Sequence, residues 1–167
     1  MKKLFFLLLG PGLVALWGCN LSTTATSTPS RNFDPHLIAA VEPVDPLSVN
    51  AARQSAEHDQ AIRIEGRIGG APQPFVNGLA AFTMVDFSIP DCCGEECTTP
   101  ECSPAELAQN IVTVKFVDQH KKTLAVDARE LLNLKDKDAV VVDGHVQRDP
   151  HGNFTVLADK IFIRRNQ

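Results

Sequence analysis

Residues 61–68 read Ala-Ile-Arg-Ile-Glu-Gly-Arg-Ile, and that alternation leaves the segment little choice of structure. Ile62, Ile64 and Ile68 fall on one face with Gly66, while Arg63, Glu65 and Arg67 fall on the other. A period of two is the signature of a strand with one side against a core and the other in water. Glycine inside such a strand offers nothing to pack, so its use there is a bend or a close backbone approach. The same arrangement returns at residues 139–147 (AVVVDGHVQ), with Gly144 at its centre. Two half-buried strands, each bent at a glycine, predict a sheet that curls.

Three more segments carry strand patterns. They are Ala81 to Ile89 (AFTMVDFSI), Ile111 to Asp118 (IVTVKFVD) with Val112, Val114 and Phe116 inward, and Phe154 to Arg164. Gly69-Gly70-Ala71-Pro72 and Asn77-Gly78 mark a long turn region, and Asp149 to Asn153 a second turn. Between the third and fourth strands, Asp127 and Glu130 have capping-box spacing, and Leu131, Leu132 and Leu134 supply the apolar stripe of a short helix. A mainly β chain with five strands and one helix between strands 3 and 4 has the element order of a small Greek-key barrel. Closing such a barrel removes exposed sheet edges.

With its two glycine-centred strands (IEGRI and VDGHV) and the interposed helix, the region of about residues 61–165 resembles an OB-fold, the oligonucleotide/oligosaccharide-binding barrel. More particularly, the chain resembles small exported bacterial lipoproteins with a Cys-bearing insertion. The resemblance implies a five-stranded OB-like Greek-key barrel. It also implies that a ligand or partner docks on strands 2 and 3, the loop at 69–79, the cysteine loop and the turn at 148–153.

Residues 1–18 have the form of an export signal. Lys2 and Lys3 precede an apolar run from Leu4 to Leu16 that Gly10, Pro11 and Gly12 interrupt, too short and broken to span a bilayer. Leu16-Trp17-Gly18-Cys19 resembles a bacterial lipobox, which implies cleavage before Cys19 and lipidation of that cysteine, as by palmitate. Acyl chains tether a protein without embedding it. Asn20 after the cysteine implies, by the same resemblance, sorting to the outer membrane where the cell has one, and a place in the cell envelope on its extracytoplasmic side. Residues 19–47 then form a tether. Its first part, NLSTTATSTPSRN, lacks the apolar groups needed to offset chain entropy, and residues 33–47 are predicted to run extended. Residues 48–60 hold a possible short helix capped by Ser48, with Val49, Ala52 and Ala56 on one side.

Four of the five cysteines, Cys92, Cys93, Cys97 and Cys102, lie in IPDCCGEECTTPECSP, inside a Cys-rich insertion at 89–110 between strands 2 and 3. Two structural disulfides are expected, since thiols outside the cytoplasm oxidise and a loop without apolar periodicity needs pinning. Pairing the adjacent Cys92 and Cys93 strains the backbone, which leaves 92–97 with 93–102, or 92–102 with 93–97. The alternative is a thiolate site for Zn or monovalent Cu on the same four sulfurs, with His58 or His120 as further ligands. The spacing is C-C-x3-C-x4-C and not the paired C-x2-C of zinc sites. A thiol-disulfide oxidoreductase is the weakest reading. Asp91, Glu95, Glu96 and Glu101 crowd the segment, and a reactive thiolate needs cations or a helix start.

Charge and aromatics argue against a nucleic-acid partner. Without the leader the chain keeps 14 of its 16 Lys and Arg against 20 Asp and Glu, a net charge of −6. It also loses Trp17, Phe5 and Phe6, leaving seven Phe with no Trp or Tyr, whereas single strands need basic grooves and stacking platforms. The five His (36, 58, 120, 145, 151) are scattered, and no Gly-x-Ser-x-Gly elbow surrounds Ser88 or Ser103. The sequence therefore predicts no catalytic residues and no resident cofactor. It predicts a membrane-anchored binding or interaction module, non-enzymatic, whose partner is a small ligand or an envelope protein.

Overall fold

The computed structural model describes residues 33–90 and 103–165. The leader, the first part of the tether and the cysteine segment at 91–102 lie outside the described residues. Among those described, a 3-10 turn (Pro35–Leu37) precedes β1 (Leu47–Ser48), α1 (Val49–Ser55), β2 (Ala61–Ile68) and β3 (Ala81–Val85). Then come α2 (Pro104–Asn110), β4 (Ile111–Phe116), α3 (Ala128–Leu132), β5 (Ala139–Arg148) and β6 (Phe154–Arg164).

Strands β2 to β6 form a closed five-stranded barrel in the order β2-β3-β4-β6-β5, with β5 returning to β2. Neighbours run antiparallel except β4 and β6, which are parallel. α3 sits between the third and fourth barrel strands. This connectivity is compatible with an OB-like fold. β2 occupies the predicted residues, and its period of two is realised: Ile62, Ile64 and Ile68 are buried while Arg63, Glu65 and Arg67 are half-buried on the outside. The inward faces of all five strands meet in one core that includes Phe82, Met84, Val114, Phe116, Val142 and Ile161. At about 1.5–3 kcal/mol per large apolar side chain removed from water, this interior is the main favourable term of the fold.

The two mid-strand glycines sit where the barrel turns. Arg67 is paired on both sides, to Val85 of β3 and Ala139 of β5, but before Gly66 the strand leaves β3 and keeps only β5. A Cβ at Gly66 would overlap the Val85 carbonyl oxygen and lie 2.9 Å from Met84 Cγ. Gly144 marks a bulge in the β5–β6 ladder, where the register slips between Asp143 and Gly144. A Cβ there would overlap the Leu157 carbonyl oxygen and lie 2.9 Å from Ala158 Cα.

The barrel ends are closed by the helices. Ser48 caps α1 by accepting from the Ala51 amide, and Val49, Ala52 and Ala56 enter the core. α1 stops at Ser55, short of residue 60, because Arg148 donates to the carbonyls of Arg53 and Ala56 and Ala56 turns extended. Asp127 caps α3, Leu131, Leu132 and Leu134 pack inward, and Asn133 in a left-handed conformation (φ 54°) ends the helix.

Two features differ from the sequence pattern. The second strand was predicted to reach Ile89, but β3 ends at Val85. Asp86 turns the chain, its carboxylate accepting from the amides of Ser88 (3.0 Å) and Asn50 (3.1 Å) and its carbonyl from Ile89 N–H. Residues 33–47, predicted simply to run extended, are tied to the barrel from Asp34 onward. Asp34 N–H donates to Leu131 O, Ala39 N–H to Ile161 O, and β1 adds in parallel to the edge of β2 that β3 has left.

Candidate functional site

The sulfur residues singled out in the sequence, Cys19, Cys92, Cys93, Cys97 and Cys102, lie outside the described residues, as do Asp91, Glu95, Glu96 and Glu101. The residues flanking the cysteine segment are well ordered by polar contacts. Ile89 O accepts from Arg67 (2.6 Å), and Asp86 N–H donates to Asn110 O (2.9 Å). Burial acts to raise the Asp86 pKa, but the amides of Ser88 and Asn50 more than offset it and hold the carboxyl below its ordinary value. On the return side, Ser103 caps α2 by accepting from the Glu106 amide, with Pro104 in the first turn. The segment therefore leaves and rejoins the barrel at the end where β3 meets β4 and the α1 N-terminus.

The histidines are spread over the molecule. His58 Nδ1 accepts from the Arg148 amide (3.0 Å), and His145 lies 3.2 Å from Asp159 on the outer surface of the bulge. His120 is in the turn after β4, a six-residue strand or about 20 Å from α2. Among the described residues no three His, Cys, Asp or Glu are grouped to hold a metal ion.

The outer face of β3, β4, β6 and β5 carries an unforeseen polar row. Thr83 is paired to Thr113, Thr113 to Thr155 and Thr155 to Gln147. All four are half-buried, and Thr83 Oγ1 donates to Gly69 O at 2.8 Å. On β3 and β4 the aromatic side chains face the other way, Phe82 and Phe116 being in the core, while Phe162 of β6 is half-buried outside it. Phe87, in the turn after β3, is exposed with the Arg164 guanidinium 5.7 Å above its ring.

Among the described residues, a concavity lies between the 72–77 loop and α3. It is an open cleft of about 430 Å³ walled by Pro72, Pro74, Phe75, Asn77, Arg129 and Asp136. Residues 75–82 make its hairpin wall: Val76 N–H bonds Ala81 O, Thr83 N–H bonds Pro74 O, and Asn77-Gly78 turns the chain with Gly78 at φ 72°. The floor is Arg129. Its Nε and Nη2 grip Asp127 (2.8 and 2.6 Å), Nη2 also reaches Asn77 Oδ1 (2.9 Å), and the guanidinium carbon lies 5.4 Å from the Phe75 ring centre. The Arg129 hydrogen bonds, with the Arg129 and Gly78 amides, lower the Asp127 pKa to about 2. In return the Asp127 carboxylate raises the pKa of Arg129. These bonds use Nε and Nη2 of Arg129, which lines the cleft. The sequence assigned Asp127 to a capping box with Glu130. The carboxylate does cap α3, through the Arg129 amide, and it also grips the Arg129 guanidinium; nothing local signals that Asn77, 52 residues away, completes the clamp.

Comparison with known protein-family models and with curated proteins finds no match for this chain.

Proposed function

We propose that the chain is an exported lipoprotein, held on the extracytoplasmic side of the cell envelope by acyl chains on Cys19. Its barrel acts as a non-enzymatic binding module for a small ligand or another envelope protein. The observation that carries the binding reading is the cleft beside α3. Arg129 is fixed at three points over an aromatic ring, so a ligand oxygen meets a donor already oriented, with no loss of side-chain freedom on binding. A ligand that sets an acceptor oxygen next to an apolar group matches Arg129 on one side and Phe75, Pro72 and Pro74 on the other. The neutral hydroxyl row Thr83–Thr113–Thr155 supplies an adjoining surface on the strands where OB-like barrels dock their partners. Net charge and inward Phe82 and Phe116 speak for a partner other than nucleic acid. Two disulfides among Cys92, Cys93, Cys97 and Cys102 would pin the segment that leaves beside Asp86.

Titration of the ¹⁵N-labelled mature chain with soluble envelope-derived peptides and glycans tests the cleft. Binding should shift the amides of Asn77, Gly78 and Arg129 and weaken in Arg129→Gln. Saturable binding that maps elsewhere and ignores Arg129→Gln contradicts it.

A further inference from the structure

We infer that the surface around Arg164 docks on an anionic lipid bilayer, the one that the acyl chains of Cys19 occupy; the inference rests on the anchor proposed above. Five large apolar side chains stand exposed among the described residues, and four gather here: Val41 (79 %), Val44 (71 %), Leu47 and Phe87. Val41, Val44 and Leu47 belong to the arm that joins the tether to the barrel. Phe87 is brought to it by Arg164, whose guanidinium covers the ring and bonds Glu42 (2.6 Å) and Glu65 (2.7 Å). Solvent-facing apolar groups spaced along one segment are the pattern of an interaction site and not of scattered surface.

The cations are next to it. A recess of about 380 Å³ is lined by Lys135, Lys137, Arg164 and Arg165, with Asp138 as its acid. The Asp138 carboxylate is turned to the Lys135 amide (2.8 Å), and Arg164 is held by its two glutamates. Lys135, Lys137 and Arg165 take part in no ion pair among the described residues. Three cations without an ion pair among the described residues, beside exposed valines and a phenylalanine, are what a headgroup layer over an acyl boundary recognises.

The chain's entry point places this surface toward the membrane. Asp34 N–H bonds Leu131 O and Arg165 bonds Asn133 O, so the tether arrives within one helical turn of the cationic rim. From Cys19 to Asp34 there are 15 residues, a reach of at most about 50 Å. The arm lies close to where the tether arrives, and it exposes Val41, Val44 and Leu47 with Glu42 and Asp45 between them.

The mature chain has no tryptophan, since Trp17 lies in the leader, so one introduced indole reports its own surroundings. Val44→Trp, in the lipidated chain reconstituted into phosphatidylglycerol/phosphatidylcholine vesicles, should show blue-shifted emission that brominated acyl chains quench. Val76→Trp, outside this surface, should remain water-exposed. Adding Lys135→Glu with Lys137→Glu, or high salt, should lower the quenched fraction on the order of tenfold, and phosphatidylcholine alone should do the same. Replacing Val41 by Asp checks the apolar half without touching the cations. A water-exposed indole on an acylated, vesicle-bound chain overturns the docking surface and leaves the anchor standing. A chain whose intact mass shows no acyl group overturns the anchor, and the same titration against free vesicles then decides the surface.

Discussion

Replacing Gly144 by Ala sets two physical effects of opposite sign against each other. Gly144 has no left-handed φ, so where space is open Gly→Ala stabilises by about 0.4–1 kcal/mol by stiffening the unfolded chain. Space is not open. The added methyl would overlap Leu157 O and sit 2.9 Å from both Leu157 C and Ala158 Cα. These are backbone atoms of the paired strand, which no rotamer change can withdraw. Relief requires β5 and β6 to part at the bulge, at an overpacking cost of about 1–3 kcal/mol and about 1 kcal/mol for each ladder hydrogen bond stretched. A net loss of about 3 kcal/mol should lower Tm by about 6–12 °C and the urea midpoint by about 1–2 M, with m unchanged. Far-ultraviolet circular dichroism is the suitable probe, because the barrel region at 61–165 has neither Trp nor Tyr. Gly152→Ala is the control: a Cβ there meets nothing within 4 Å and only φ +81° opposes it, so its cost should stay near 1 kcal/mol. Unchanged or increased stability in Gly144→Ala would refute the bulge as a site of enforced close approach.

Acid should weaken the α3 clamp. The pKa of Asp127 is lowered from 3.8 to about 2 in the folded protein, so its contribution is present above about pH 4 and disappears as pH falls toward 2. With Arg129 half exposed and solvent-screened, that contribution is about 1 kcal/mol, and Asp127→Asn should flatten the stability profile between pH 4 and 2 by that amount. An unchanged acid slope in urea titrations of the variant would contradict the clamp. Ser48→Ala removes the acceptor for the Ala51 amide and should cost about 1 kcal/mol, read as a Cm shift at constant m. No shift would mean that packing of Val49 and Ala52 alone holds α1.

What the sequence made legible follows from where the determining contacts lie. β2 was readable to the residue because Ile62, Ile64 and Ile68 alternate with charges inside one segment, and β4 because Val112, Val114 and Phe116 do the same. Gly66 and Gly144 were readable as bends because glycine in a half-buried strand has few other uses. The end of β3 was not, since apolar Phe87 and Ile89 continue the pattern while the Asp86 carboxylate, held by the distant Asn50 amide, breaks it. The docking of residues 34–47 was invisible for a related reason: it depends on backbone bonds to Leu131 and Ile161 that leave no mark on local composition. The cleft was the least legible feature. Asn77 read only as half of an Asn-Gly turn and neither Phe75 nor Arg129 stood out, and they become a clamp only when the hairpin folds against α3.

The anchored module with a sulfur-pinned loop is tested most directly by the intact mass of the protein purified from membranes, taken before and after reduction alongside elemental analysis. The account predicts a chain beginning at an acylated Cys19, four hydrogens gained on reduction by Cys92, Cys93, Cys97 and Cys102, and no bound metal. A chain that retains its leader and lacks acyl groups, or four free thiols accompanied by stoichiometric zinc or copper, would contradict it.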